Sequence, residues 1–372
     1  MEKKRITICL VCVAAGLAMC GAVRAEEIRG VGAKELGAAT KAFNLRMAGK
    51  VDQAKEFLEK ALVENPKDAA GHYELARIQV HRALGQGGRN IVNMIGDAQD
   101  TIDKAVELNP KNVTYTLYSG HVDYFLAYYS LMTGGQPKEK LAKAIDSFES
   151  ALRLKPDYHQ ARLYLVELYS EFPEEAGGDK SKAEQYARQI EGIDGFFGAK
   201  ARSILLPEDV DRVDYWQKVL KKYEGNADVI EELGKAYLWE DKVDDAVSYF
   251  EKAIEIDPEK AFLFLDLSIY HTFRALRAGD DSELFQTSVR SGDAAVARYI
   301  ESEPIPPMLA YAIGVRSKYK SFSGDKEQGR ALFREAEALD PYFSKATGAP
   351  HPDLFIPPGE ISQNHRYLLR PF

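Results

Sequence analysis

Cysteine is nearly absent from this chain of 372 residues, and where it occurs it is confined to Cys9, Cys12 and Cys20. Beyond Glu26 there is therefore no thiol nucleophile, no disulfide and no Cys-ligated metal to expect. No Gly-x-Ser-x-Gly elbow or comparable nucleophile setting occurs, which removes the commonest hydrolase signature. The seven histidines (His72, His81, His121, His159, His271, His351 and His365) never pair at i, i+4 and never form His-Glu-x-x-His, so no zinc site is predicted. An excess of basic residues is also missing: 49 Lys and Arg face 57 Asp and Glu, a net charge of −8. That balance argues against binding a phosphate backbone, which needs a concentrated basic surface. No apolar run is long enough to span a bilayer.

The longest apolar stretch, Ile6 to Met19, follows Lys3-Lys4-Arg5 and precedes Val23-Arg24-Ala25. A basic start, a short apolar centre and small residues at −3 and −1 make a secretory signal peptide, with cleavage expected after Ala25. Residues 1–25 carry four basic side chains and one acidic. The exported chain would then hold 45 basic against 56 acidic residues, near −11. "LAMC", ending at Cys20, also resembles a lipoprotein box, although Met19 stands where a small residue is usual; a lipid anchor there is the rival reading. Periplasmic or secreted location is the expectation.

What the chain has instead is repetition. Ala246, Phe250, Ala253 and Pro258 are spaced 4, 3 and 5, and the same frame fits Ala54, Leu58, Ala61 and Pro66. It recurs at Ala98, Ile102, Ala105 and Pro110, at Ala144, Phe148, Ala151 and Pro156, and at Gly329, Phe333, Ala336 and Pro341. Each frame is one apolar face of an amphipathic helix, with small residues admitting a neighbouring helix and a bulky one filling the gap. Asp/Asn-Pro then ends that helix, because proline is tolerated at a helix start but not inside one. Upstream of the best copy, Leu233, Gly234 and Tyr237 share a face of a preceding helix.

Helix, turn, helix, proline at about 34 residues resembles the tetratricopeptide repeat (TPR). The resemblance covers roughly residues 35 to 343. It implies an all-α fold: a right-handed α-solenoid of about seven to eight TPR-like helix hairpins with long Gly-containing inserts. The expected organisation is a signal peptide over 1–25, a linker over 26–34 and units one to four over 35–194. A degenerate helical pair follows over 195–226, with helices near 196–205 and 209–223. Units five to seven take 227–343, and 344–372 is a Pro-rich segment expected to be extended. The inserts, among them "ALGQGGRNIVNMIGDAQ", "LMTGGQP" and "EFPEEAGGD", are expected to lie on the turns within hairpins and to line one rim. "GQGGRN" at Gly85–Asn90 lacks the strand and the Gly-Lys-Ser/Thr of a phosphate loop and reads as an inter-helix loop.

In this family certain positions of the first helix of each unit face a concave groove. Carried over, they give Phe43 and Arg46, then Tyr73, Arg77 and His81, then Leu117, His121, Tyr124 and Phe125, then Leu163 and Glu167. Units five and six add Glu231, Lys235 and Trp239, and Phe262, Leu265 and Phe273. Such a strip of aromatic and apolar groups with a few charges suits a protein or peptide partner; packing between units is the competing role for Tyr124, Phe125, Phe262 and Phe273. The carboxylate-clamp pattern of paired Lys and Asn is missing, with Ala39 and Phe43 in its place. The reading is thus a non-enzymatic exported scaffold without cofactor or metal, in an envelope-associated complex. "EEAGGDKSKAEQYARQIEGID" at Glu174–Asp194 resembles a turn of periplasmic TPR components of TRAP-type transporters, which implies the alternative of a hydrophobic-solute-binding accessory protein. The C-terminal segment, with Phe355, Tyr367 and Phe372, is a candidate cover for the groove or a strap for self-association.

Overall fold

A computed structural model of the chain describes residues 37–207 and 209–346. The expected signal peptide, the linker, Cys20 and residues 347–372 lie outside the described residues. Helices account for 81% of what is described and no strand occurs there, so the fold is the all-α helical solenoid that the repeats imply. None of the described helices is long and apolar enough to cross a membrane.

The helices form consecutive hairpins. α1 (Ala38–Met47) pairs with α2 (Val51–Glu64), α3 (Ala69–Gln86) with α4 (Ile91–Leu108), α5 (Val113–Met132) with α6 (Lys138–Leu154), and α7 (His159–Glu171) with α8 (Lys180–Glu191). α9 (Gly195–Ile204) packs on α7 and α8. There the described chain divides into two compact units, the first over 37–207 and the second over 209–346. In the second, α10 (Arg212–Lys222) packs on α11 (Ala227–Trp239), which pairs with α12 (Val243–Ile256). α13 (Leu263–Arg277) with α14 (Ser282–Glu301) and α15 (Pro306–Phe322) with α16 (Lys326–Leu339) complete it. The two helices expected as a degenerate pair thus belong to different units.

The turns between hairpins show why the proline recurs, after Asp or Asn in three of the four turns and after Lys155 in the other. The N–H of Asp68 donates to the carbonyl of Asn65 (3.2 Å), and Asn112 to Asn109 (3.0 Å), Tyr158 to Lys155 (3.1 Å) and Lys260 to Asp257 (3.0 Å) repeat it. Pro66, Pro110, Pro156 and Pro258 each stand second in these four-residue turns, where a fixed φ is an advantage. At the first two turns the next helix starts only at the capping residue: Asp68 accepts from the Gly71 N–H (3.0 Å), and Asn112 accepts from Thr114 (2.9 Å) and Tyr115 (3.2 Å).

The small-large-small face packs as its spacing implies. Ala144, Phe148, Ala151, Ala246, Phe250 and Ala253 are all fully buried. A Cβ on Gly234 would sit 2.6 Å from the Phe250 ring, so α11 and α12 approach this closely only because that side chain is missing. Gly120 holds the same register against Phe148, at 3.0 Å.

Two expectations are sharpened. The glycines of the inserts do mark the turns within hairpins, with positive φ at Gly87, Gly88, Gly134 and Gly177, but α3 and α4 run 18 residues each, α5 20 and α14 20, so most of the added length is helix rather than loop. Once a helix is nucleated, extending it adds one hydrogen bond per residue fixed, whereas a loop of equal length gains none. The C-terminal segment expected to be extended from 344 begins as a 3₁₀ turn, Phe343–Lys345, packed on α15 and α16 with Phe343 buried. The Gly-Gly turn before α8 has a structural reason. Gly177 has φ +110°, and a Cβ on Gly178 would overlap the Phe172 carbonyl, while Asp179 caps α8.

Candidate functional site

The first helices of the hairpins carry the positions expected to face a groove. Eight of the twelve principal candidates are instead buried: Phe43, Tyr73, Arg77, His81, His121, Glu231, Lys235 and Phe262. Tyr124, Phe125 and Phe273 are half-buried, and only Trp239, 42% accessible, is exposed. The supporting residues Arg46, Leu117, Leu163, Glu167 and Leu265 are buried as well.

In the first unit the interior explains this. Arg46 Nε donates to Glu74 Oε1 at 2.7 Å, and Arg77 Nη1 lies 3.2 Å from Glu74 Oε2, with all three side chains fully buried. Both guanidinium carbons lie 5.5 Å from the Phe43 ring, and that of Arg77 lies 4.9 Å from Tyr73. Burial lowers the Arg46 pKa, with Glu74 pulling against it. His121 is wedged against Tyr164 (4.4 Å) and Phe148 (5.3 Å), rings that stack on each other at 4.8 Å. These groups hold α1, α3, α5 and α7 together and leave no surface for a partner.

The picture changes along the second half of α5. The Tyr124 hydroxyl donates to Glu167 Oε1 on α7 at 3.1 Å, and the Phe172 ring meets Tyr124 edge-on at 6.4 Å. Burial, reinforced by the Glu171 charge, raises Glu167 well above the ordinary carboxylate range. Burial, then the Glu167 charge, likewise raises the Tyr124 hydroxyl. Anchored from behind in this way, Tyr124 leads a row of half-buried aromatics: Phe125, Tyr128 and Tyr129. Tyr128 and Tyr129 were not among the sequence candidates. The family's groove positions stop near residue 13 of a helix, and α5 continues for 20. The run "DYFLAYY" was the available signal.

In the second unit the charged candidates neutralise one another. Lys235 donates to Glu231 and, at 3.1 Å, to Glu232. Lys260 donates to Asp228 (2.7 Å) and Glu231 (2.6 Å). Burial pulls the Lys260 pKa down, but Glu231 and Asp228 outweigh it and the net shift is upward. Trp239 ends α11 with the Arg212 guanidinium 5.2 Å from its ring. Among the described residues no three His, Cys, Asp or Glu side chains are placed to hold a metal ion.

Helix hairpins of one register, stacked through small-large-small faces, define an α-helical repeat protein. Residues 227–260, which form α11, α12 and the following turn, match the family model of the tetratricopeptide repeat, so this hairpin is a TPR unit. No curated protein matches it. Solved structures similar to it include a thermophilic TPR protein of Thermus thermophilus, at 19% identity over 62% of this chain and 96% of that one, with a TM-score of 0.38. A TPR protein of Parabacteroides merdae is 15% identical over 81% of this chain and 91% of that one, with a TM-score of 0.34. YrrB, described as a TPR protein with an unusual peptide-binding site, is 17% identical over 76% and 92%, with a TM-score of 0.23.

Proposed function

We propose that this protein is a non-enzymatic scaffold that holds a protein or peptide partner on its first-helix aromatic surface. The principal contact is the Tyr124–Phe125–Tyr128–Tyr129 row of the first unit, with Trp239 as a separate contact on the second. The carrying observation is that the four residues of this row are half-buried rather than buried, while Tyr124 is fixed from behind by Glu167. Rigid aromatics with one polar end bind at low entropic cost and dominate interface energetics. TPR folds commonly mediate protein interactions. The signal-peptide layout of residues 1–25 supports work after export, in an envelope-associated complex, with the C-terminal segment as an element of self-association.

Affinity capture from the native envelope tests this, using the chain lacking residues 1–25 as bait and three versions of it. Phe125→Ala with Tyr128→Ala is expected to reduce the retained partner at least about tenfold. Trp239→Ala should reduce it less, and the exposed Val63→Ser control not at all. Equal retention by all three would sink the aromatic-surface reading.

A further inference from the structure

A recess of about 430 Å³ opens on the first unit where α4, α5 and α6 meet, away from the aromatic row. Its existence follows from three departures from the chain's own repeat. Nine residues after the turn proline the first helix carries a buried leucine at Leu75, Leu165 and Leu267, and Leu233 stands before Gly234 as Ser119 stands before Gly120, but in this hairpin the position is Ser119. On the second helix, Phe57, Thr101, Tyr249 and Leu332 correspond to Ser147, and Lys60, Lys104, Lys252 and Glu335 correspond to Ser150. All three serines line the recess, together with Thr116. Replacing a packed leucine by serine forfeits apolar burial and leaves space, so the change is costly to the fold alone.

The walls are chemically specific. Ser119 Oγ donates to Asp103 Oδ1 (3.2 Å) and accepts from Gln99 Nε2 (3.0 Å), while Gln99 also donates to Asp103 Oδ1 (2.7 Å). One carboxylate oxygen is thereby fixed and Oδ2 has no donor among the described residues. Arg153 donates to Ser150 and lies 3.7 Å from Asp146, so the recess holds two carboxylates and one guanidinium. That net negative charge disfavours an anion, and the ring of hydroxyls and carboxylates disfavours an apolar guest. Pro110, Val106 and Leu154 supply a small apolar strip beside these groups.

We propose that this recess binds one polyhydroxylated ring of hexose size, either a free sugar or the terminal unit of a glycan. Vicinal hydroxyls would donate to Asp103 and Asp146 and accept from Arg153, and the C–H face of the ring would lie on the apolar strip. The volume falls at the small end of the roughly 300–1,000 Å³ usual for ligand sites, enough for one such ring. This site is independent of the aromatic surface proposed for a protein partner.

Saturation-transfer NMR and calorimetry on the full chain provide the test. The probes are methyl glycosides of glucose, galactose, mannose, glucosamine and N-acetylglucosamine, with butylammonium chloride as the cation probe. At least one glycoside is expected to bind. Ser119→Leu, which restores the repeat's own residue, should abolish that binding while circular dichroism shows helicity and melting temperature retained or raised. Asp103→Asn should weaken it about tenfold, the loss of one charge-assisted hydrogen bond. A disaccharide ending in the bound unit should match the glycoside if a glycan terminus is the guest, and bind at least about tenfold more weakly if a free sugar is. Binding of butylammonium in place of the sugars, no binding by any glycoside, or sugar binding that survives Ser119→Leu would each overturn the proposal.

Discussion

The two units are written in one repeat grammar, yet they use the same first-helix positions in opposite ways. In the first unit Arg46, Glu74 and Arg77 sit against Phe43 and Tyr73, and farther along, Tyr124, Phe125, Tyr128 and Tyr129 keep surface. In the second, Lys235 and Lys260 are consumed by Glu231, Glu232 and Asp228, and of the candidate residues Trp239 alone is exposed. A position's number in the repeat therefore states which helix face it occupies. Whether that face is interior or free depends on what the neighbouring helices place against it.

The contrast is broken most severely by Lys260→Met. It strips Asp228 and half of Glu231 of their cation, and breaking one partner of a buried ion network costs about 3–5 kcal/mol. Both tryptophans, Trp216 and Trp239, belong to the second unit. Their fluorescence in a urea titration should therefore show an earlier transition, with much of the first unit's helical signal persisting beyond it.

Next in size, Gly234→Ala and Gly120→Ala compare one packing device across the units. The added methyl lies 2.6 Å from Phe250 in one and 3.0 Å from Phe148 in the other. We expect the first to cost about 1–3 kcal/mol through overpacking. The second should come out near neutral, since alanine's helix propensity returns up to about 1 kcal/mol. Equal costs would mean that the difference in clearance at the two glycines carries no energetic weight.

Acid should separate the units in sign. Burial, reinforced by Asp103, raises Asp123 to about 7 from an ordinary 3.8. The folded first unit then holds a proton that the unfolded chain releases, so this group's contribution falls as pH rises from about 4 through 7. Burial, with Arg274 adding to it, lowers His271 in the second unit to about 4 from 6.5. Its contribution is complete above pH 6.5 and is lost as pH falls towards 4. Asp123→Asn should gain about 1–3 kcal/mol over the parent at pH 8 and almost nothing at pH 4, while His271→Gln should gain a similar amount at pH 4.5 and not at pH 8. Melts at four pH values would show it, and parallel pH profiles for the two variants would contradict it.

The smallest effect expected is that of Trp239→Ala. With 42% of the residue accessible, stability should change by less than about 1 kcal/mol, measured by far-UV melting, although partner retention falls.

Much of the scaffold was legible before any coordinates. The 4-3-5 spacing located the second helices, and Asp/Asn-Pro located the turns, because both follow from local rules: the helical period, capping and proline's fixed φ. The candidate surface was far less legible. His121 and Tyr124 stand one turn apart on α5, yet one is clamped between Phe148 and Tyr164 and the other reaches Glu167 with its ring half-buried. Tyr128 and Tyr129 were passed over because the helix outruns the repeat's standard length. The glycines of the inserts marked the turns within hairpins, but they could not say how far packing would lengthen the helices on either side of them.

By itself, the sequence determined the hairpins, their register and the turns that join them, since each depends on residues within about one repeat of one another. The tertiary structure alone decided which first-helix side chains became interior, where Lys260 finds Asp228, and that Ser119, Ser147 and Ser150 open onto one recess. Those outcomes depend on which side chains the neighbouring helices bring together in space, where burial and pairing of charge are settled by the neighbours present.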